Sequence, residues 1–400
     1  MLRVFDEEFA REPWGVLTAL RRDSGGVHRV ATPDGPPAWL VTRYDDVRAG
    51  LLDDGLSTNV TYARGDDYRG FSVPAPLDVF QRSEFDELAR LRGAVVGELR
   101  RGGGWSERVG EWVGRCLDEV AGATEFDFVE RVALPLPALM LGDLLGLTGE
   151  VREALAGWAD STMRPGVAPR ARDTLTTMAE IIGAVLEQAR KGADDTMASR
   201  LARSGIGGGA ADSGELPGLL FYLLFVWYEV VMDVLAGAVL TLSGRPDQRV
   251  VLAATDNPDG AVDELLRFLS PQVLAGPRFA VTDREIGGQR IAAGETVLLC
   301  LASANHDPSV FTRPETLDLG RTSNPQLALG HGAHACVGIG FVRPVVGAVL
   351  TELYRRLPDL HALGDEREVV WRSGFRHRGP LSLPVRTLAG TGRASSIAPS

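Results

Sequence analysis

The chain has 400 residues, of which 44% are hydrophobic and 24% are charged, and its formal net charge is −11. This composition is ordinary for a folded globular protein and excludes a disordered, collagen-like or disulfide-stapled chain. The acidic balance leaves no overall basic surface for nucleic acid. Cys116, Cys300 and Cys336 are too few and too scattered for a disulfide framework or a four-cysteine zinc site. We therefore expect a protein of the reducing cytoplasm.

The first half of the chain is predicted to be mainly helical. Residues 37–43 are typical of a short strand, and residues 45–52 are typical of a short helix. From residue 84 to about residue 201, apolar residues recur at steps of three and four, which predicts a series of amphipathic helices. The glycine-rich segment 205–215 predicts a loop.

Residues 219–242 form a segment long and apolar enough to imitate a membrane span. Glu229 and Asp233 lie in its middle, one helical turn apart, and charges at that depth are costly in lipid. A helix that is apolar on all sides is typical of a protein core. We therefore predict a long buried helix and no membrane association.

The last third of the chain is predicted to contain a minor β region. Asn257 followed by Pro258 indicates the start of a helix. After Ser270, apolar and polar residues alternate between glycine turns, which predicts short strands. A further helix is predicted from Val337 to about Leu357.

The predicted architecture is mainly α with a minor β region, because the helical segments outnumber the strands and no linker separates two halves. Residues 1–388 are expected to form one domain. Residues 389–400 are small and polar, and we expect them to be disordered.

Residues 329–338, LGHGAHACVG, carry the most informative chemistry. Cys336 follows a glycine turn and precedes an apolar helix, where backbone N–H groups and the helix dipole lower the pKa of a thiol. Glycines let the backbone approach a flat ligand closely, and His334 can pair with an anion. This set suits a metal thiolate, although a buried structural cysteine is the alternative. It is not a dinucleotide loop, because Gly330 and Gly332 are not followed by glycine at position 335.

The segment resembles the haem-binding loop of the cytochrome P450 superfamily, F-x-x-G-x-H-x-C-x-G in bacterial members, with Leu329 in place of the usual phenylalanine. Three further stretches are similar to family motifs, namely ELLR at 264–267, GPR at 276–278 and ANHDP at 304–308. Together these similarities extend over roughly residues 45–388. The resemblance implies the mainly α, single-domain P450 fold with its small β region.

The resemblance also implies haem b as the cofactor. Cys336 would be the axial ligand of the iron, with Gly338 beside it, and a thiolate ligand promotes O–O cleavage. Arg92, Arg278 and His334 would hold the haem propionates by charge-assisted hydrogen bonds.

Glu264 and Arg267 lie three residues apart on one helix face and can pair. In isolation such a pair is common on exposed helices, and the resemblance is what implies a buried structural pair. Arg321 is expected to be the third partner, because residues 314–317, PETL, lack the arginine that the family has there.

The long apolar helix departs from the family pattern. The family motif A-G-x-[DE]-T aligns with VWYEV at 226–230, so that only the acid, Glu229, is retained. Val230 has no hydroxyl with which to deliver protons, and Trp227 places an indole where the family has no side chain. We assign Glu229, Trp227 and Val230 as the distal catalytic residues, with Glu229, or a water that it holds, as the proton relay.

A second departure lies in the helix that resembles H-x-R-L-R. The aligned residues are LARLR at 88–92. Leu88 replaces the family histidine, so that only Arg92 can contact a propionate from this helix.

Trp227 leaves three interpretations open. The helix could be rotated or locally bulged, so that the indole packs into the core. Alternatively, the protein could be an oxidase that uses substrate groups or water for proton delivery. In the third interpretation it does not perform ordinary oxygen insertion.

The function implied by the resemblance is oxidative tailoring of a small organic molecule in bacterial secondary metabolism. A ferredoxin or flavodoxin would supply electrons, and neither nucleic acid nor membrane is expected as a partner. One alternative is a haem-thiolate enzyme that runs radical coupling, a peroxide route or a rearrangement. The other is a non-catalytic recruitment module of the same fold.

Overall fold

The computed structural model describes residues 1–33, 35–65, 73, 75, 77–83, 85–101, 105–163, 171–191, 195–204, 215–255, 258–364, 368–372 and 375–388. The predicted tail 389–400, residues 205–214 of the predicted loop 205–215 and the predicted helix cap Asn257 lie outside the described residues. Glu215, the last residue of that predicted loop, begins a helix instead.

Helices make up most of the described chain. In chain order they are α1 (Glu7–Arg11), α2 (Trp14–Arg22), α3 (Tyr44–Leu52), α4 (Val79–Arg82), α5 (Phe85–Arg101), α6 (Trp105–Asp118), α7 (Pro135–Leu145), α8 (Gly149–Met163), α9 (Ala171–Lys191), α10 (Met197–Arg203), α11 (Glu215–Phe221), α12 (Trp227–Ser243), α13 (Pro246–Ala254), α14 (Pro258–Leu269), α15 (Leu301–Asn305) and α16 (Ile339–Arg356). Two π-helical segments, Val129–Ala133 and Tyr222–Val226, precede α7 and α12.

Short strands form the β region. They are β1 (Val27–Val30), β2 (Ala38–Val41), β3 (Leu56–Ser57), β4 (Glu125–Asp127), β5 (Arg278–Ala280), β6 (Arg284–Ile286), β7 (Gln289–Ile291), β8 (Thr296–Leu299), β9 (His361–Ala362) and β10 (Pro384–Arg386). The largest sheet has the order β1-β2-β8-β5-β3, and a smaller sheet has the order β4-β10-β9. Strands β6 and β7 form a hairpin.

The prediction of a mainly α fold with a minor β region is confirmed. The predicted strand 37–43 and helix 45–52 are present as β2 and α3. The sequence did not predict which strands pair. Strand β2 pairs in parallel with β8, and these two strands lie far apart along the chain. This sheet brings Arg278, the first residue of β5, next to the N-terminal part of the chain.

The central helix is formed by α11, the π segment and α12, which run without a break from Glu215 to Ser243. It is long and apolar enough to cross a membrane, but 78% of its most apolar stretch is buried inside the protein. Asp233 in its middle is 1% exposed. The predicted core helix is thus confirmed, and the widening into a π segment is a feature that the apolar pattern did not indicate.

Helix α16 begins at Ile339 rather than at the predicted Val337, because Gly338 takes the N-cap position and Ala335 has extended backbone angles. Cys336 therefore lies just before the helix. The helix continues through Pro344 and packs against α6 and α14. The cysteine turn is in this way attached to two helices of the core, α6 and α14.

Candidate active site

The turn before α16 presents Cys336 through backbone contacts. The Cys336 N–H donates to the carbonyl oxygen of Leu329 at 2.6 Å, and the Gly338 N–H donates to Cys336 Sγ at 3.3 Å. Gly330 has a φ of +71°, and a Cβ there would lie 2.5 Å from the His334 carbonyl oxygen. Only glycine fits this position, and the turn therefore depends on it.

Opposing effects act on the pKa of the Cys336 thiol. Burial raises its pKa, whereas the Gly338 N–H and the positive charge of Arg92 lower it. A metal cation on the sulfur would favour the thiolate much more strongly. Burial raises the pKa of both Cys116 and Cys300 to about 12, which fits structural thiols.

Three basic side chains converge beside the cysteine turn. Arg92 Nη2 donates to the carbonyl oxygen of Ala335, and Arg278 Nη1 donates to that of Gly276 at 2.8 Å. Burial, and then the charges of Arg278 and Arg92, lower the pKa of His334 to about 4. The structure therefore brings together the three residues that the resemblance assigns to the propionates.

Arg278 lacks the anion that a buried guanidinium requires. It is 4% exposed, and burial lowers its pKa to about 10. Its Nε has no hydrogen-bond partner among the described residues. Within that part of the chain, no carboxylate forms a salt bridge with Arg278 or Arg92. The two propionates of haem would supply the missing negative charge, so these residues fit haem b.

A cavity of about 280 Å³ opens beside His334 and is also lined by Leu56 and Leu88. Leu88 stands where the resemblance places a histidine, and this wall of the cavity is therefore apolar. The same cavity is also lined by polar side chains, namely Asp53, Asp54, Ser57, Thr58 and Ser83.

Between Tyr222 and Val230 one face of the central helix is partly accessible, whereas the other residues of that stretch are buried. The accessible residues are spaced by three and four and share that face; they are Tyr222, Phe225, Val226, Glu229 and Val230. Arg278 lies close enough to Tyr222 to oppose the effect of burial, which raises the pKa of Tyr222 to about 12. Arg278 therefore lies near the Tyr222 end of this face.

Trp227 lies directly against the cysteine turn. It is 7% exposed, and a Cβ added to Gly338 would lie 2.4 Å from its Cζ2 atom. Its ring stacks on that of Phe341, with centroids 5.8 Å apart and an interplanar angle of 13°. The π segment Tyr222–Val226 ends immediately before it. The central helix and the cysteine turn therefore meet through this indole.

Glu229 belongs to a polar cluster that the sequence analysis missed. Its Oε1 lies 3.6 Å from Arg372 Nε, and its Oε2 lies 3.8 Å from His377 Nδ1. Asp233, one turn further on, lies 3.3 Å from Arg372 Nη2, and burial raises its pKa to about 6. Two acids in an apolar helix, Glu229 and Asp233, indicated that a basic side chain pairs with them. Nothing in the irregular C-terminal segment indicated that Arg372 and His377 would supply it.

Glu264, Arg267 and Arg321 are brought together in the core. Glu264 and Arg267 are 0% exposed and share two hydrogen bonds of 2.8 Å. Arg321 Nε lies 2.9 Å from Glu264 Oε2. Arg267 also donates to the carbonyl oxygens of Asn305 and Pro314. The cluster therefore ties α14 to the long irregular segment that leads to the cysteine turn.

Comparisons with known proteins agree with this geometry. The family model described as Cytochrome P450 matches residues 259–357. Cytochrome P450 monooxygenase PikC of Streptomyces venezuelae is 32% identical over 397 residues, which cover 96% of this chain and 93% of that protein. Nocardicin C N-oxygenase of Nocardia uniformis subsp. tsuyamanensis is 33% identical over 368 residues, covering 89% and 91% of the two chains.

Solved structures give the same result. The ligand-free P450 monooxygenase TamI matches with a TM-score of 0.83 and 30% identity, over 96% of this chain and 93% of that one. The Bacillus subtilis 168 cytochrome P450 PksS matches with a TM-score of 0.84 and 25% identity, over 97% and 100%. The fold, the cysteine turn and similarity along nearly the whole chain lead to one conclusion: the protein belongs to the cytochrome P450 family, whose members are haem b-dependent oxidoreductases.

Proposed function

We propose that the protein is a haem-thiolate oxidase that tailors a small organic molecule in bacterial secondary metabolism. The observation that carries the proposal is the Cys336 turn, whose His334 lies near Arg278, a buried arginine with no carboxylate partner among the described residues. The similar proteins include a P450 monooxygenase and an N-oxygenase by name. Haem bound in this site would supply oxygen activation and one-electron chemistry.

The roles of the surrounding residues follow from their contacts. Cys336 would be the axial ligand, and the N–H of Gly338 would hold its sulfur in position. Arg92, Arg278 and His334 would bind the propionates, because they are the basic groups that converge beside the turn.

Replacing Arg278 with methionine tests the propionate assignment. We expect Arg278→Met to lose haem to an apomyoglobin acceptor about 10-fold faster than the parent chain, as for other groups that support a metal site. The thermal midpoint of the chain freed of haem should not fall, because burial of this unpaired charge is already costly. Arg284→Met is the control, since Arg284 pairs with Asp53 at the surface. Equal rates of haem loss for both variants would contradict the assignment.

Glu229 is the proposed proton relay. Val230 provides no hydroxyl, and Glu229 is the acid on the accessible face of the central helix. Arg372 and His377 contact its carboxylate, and Asp233 adds a second acid one turn away. Protons can pass along such a chain of acids and imidazole when water completes the contacts.

Replacing Glu229 with glutamine should slow product formation by about 100-fold, the usual contribution of a positioned proton donor. The solvent deuterium isotope effect on product formation should increase, because proton delivery becomes limiting. Glutamine keeps the size of the side chain, and Val230→Leu is a control for a change of shape on the same face. Unchanged rate and isotope effect in Glu229→Gln would exclude the relay.

The partners proposed are a small-molecule substrate and a ferredoxin or flavodoxin as electron donor, in the cytoplasm. A donor would dock on the side of Cys336, where the path to the cofactor is shortest. Arg343, on α16 near this side, is already paired with Asp263 at 2.8 Å. Other cations of that surface would therefore have to attract an acidic donor.

A second candidate is a haem-thiolate enzyme that does not insert oxygen in the ordinary way. It is favoured by the missing hydroxyl at Val230 and by the indole of Trp227 against the cysteine turn. A peroxide-driven oxidation or a rearrangement would not need the hydroxyl, because neither depends on proton delivery during dioxygen activation, and radical coupling forms its product without inserting an oxygen atom.

The deciding experiment is the carbon monoxide difference spectrum of the dithionite-reduced protein, followed by turnover with NAD(P)H and surrogate redox partners. A strongly red-shifted Soret band would show a thiolate opposite a diatomic ligand and support the oxidase. Bound haem without carbon monoxide binding would favour the second candidate. Absence of haem would overturn both candidates and leave a recruitment module.

A further inference from the structure

We propose that Trp227 is an internal gate to the haem site: its indole shares the surface of the cysteine turn with the porphyrin, and haem is retained only when this indole has moved off Gly338. The inference rests on the proposed haem-thiolate site. It concerns how readily this chain holds its cofactor, which is a separate question from the reaction performed.

The first observation is the contact itself. The benzo edge of the Trp227 indole approaches Gly338 so closely that a Cβ there would lie 2.4 Å from Cζ2 and 2.8 Å from Cη2. The N–H of the same glycine points to Cys336 Sγ at 3.3 Å. A planar macrocycle centred over that sulfur is broad enough to cover the neighbouring residues of the turn. The indole and the macrocycle therefore compete for the same surface.

A second observation explains what holds the indole in place. Trp227 stacks on Phe341, and Trp105 packs edge-on against Phe341 with centroids 5.0 Å apart and an interplanar angle of 89°. Such aromatic pairs contribute beyond their buried area. The three rings form a stack that connects α6, α16 and the central helix, and this stack stabilises the indole on the turn.

The third observation shows how the indole could leave. The π segment Tyr222–Val226 ends at the residue before Trp227, and π segments are places where a helix can change its register. Val226 and Val230, on either side of Trp227, lie on the partly accessible face. A small rotation of the helix would move the indole from Gly338 towards that face.

The gate has a measurable consequence. If only a fraction of the chains has the indole off the turn, the apparent affinity for haem falls by that fraction. Removing the indole should therefore strengthen haem retention, although it deletes a large buried side chain that would normally stabilise the protein.

The test compares the equilibrium partition of haem between the full-length protein and an apomyoglobin acceptor. We expect Trp227→Ala to hold haem at least about tenfold more tightly than the parent chain. The matched control is Trp105→Ala, which removes an indole from the same stack but leaves the Trp227 indole against Gly338. That control should strengthen haem binding much less than Trp227→Ala does.

A double-mutant cycle keeps the test independent of folding defects. In the chains freed of haem, Gly338→Ala should lower the thermal midpoint of the parent, because its Cβ meets the indole, and should lower it much less in the Trp227→Ala background. Equal effects in both backgrounds would show that the contact is absent and would overturn the gate.

The haem measurements separate the gate from the proposed function. Tighter haem binding by Trp227→Ala, or haem bound by that variant alone, supports the gate. A normal thiolate spectrum with equal or weaker haem binding by Trp227→Ala overturns the gate and leaves the proposed function standing. No haem in either protein overturns both.

Discussion

Glu264→Gln is expected to lower the free energy of unfolding by about 3–5 kcal/mol, the usual cost of breaking a buried ion pair by removing one partner. Glu264 and Arg267 are 0% exposed, and Arg321 adds a second guanidinium to the same carboxylate. Glutamine keeps the shape but removes the negative charge, so that Arg267 becomes a buried cation without compensation. Urea denaturation followed by circular dichroism measures the loss.

Glu352→Gln provides the matched comparison. Glu352 pairs with Arg355 and Arg356 near the end of α16, where the Arg355 side chain is 65% exposed. Removing a pair of this kind should cost less than about 1 kcal/mol, because water solvates the arginines that remain. If Glu264→Gln proved no more harmful than Glu352→Gln, the Glu264 cluster could not be a determinant of the fold.

Cys336→Ala should abolish the red-shifted Soret band of the reduced carbon monoxide complex and bring product formation below detection. The thiolate is the donor through which this class of haem site promotes O–O cleavage, and alanine has no group that could replace it. Haem could still bind through Arg92, Arg278 and His334, which converge beside the turn. The spectrum should then change even where haem content is retained.

Cys116→Ala is the control for loss of a thiol. Cys116 is 2% exposed in the helical core, and burial raises its pKa to about 12. The variant should keep the band and the activity, with a modest loss of stability from the cavity. A band that persisted in Cys336→Ala would mean that another residue ligates the iron.

Local sequence patterns were sufficient to predict the fold class and the chemistry of the cysteine turn. Apolar residues at steps of three and four indicated the helices, and glycines next to Cys336 indicated a turn where backbone groups approach a thiol closely. These signals are local, because helix periodicity and positive-φ glycines act within a few residues. For the same reason the two acids of the central helix could be identified, although the partners that surround them could not.

Which residues meet in the site depends on the tertiary structure. Arg92, Arg278 and His334 come from a helix, a strand and a turn far apart in sequence, and the mixed sheet and helix packing bring them together. Arg372 and His377 reach Glu229 from an irregular segment without any periodic pattern. The position of Trp227 depends on a π segment that changes the register of the central helix by a fraction of a turn. Such contacts arise from packing between residues that lie far apart in the sequence. The sequence therefore singled out Trp227, but its position against the cysteine turn follows from the packing of the fold.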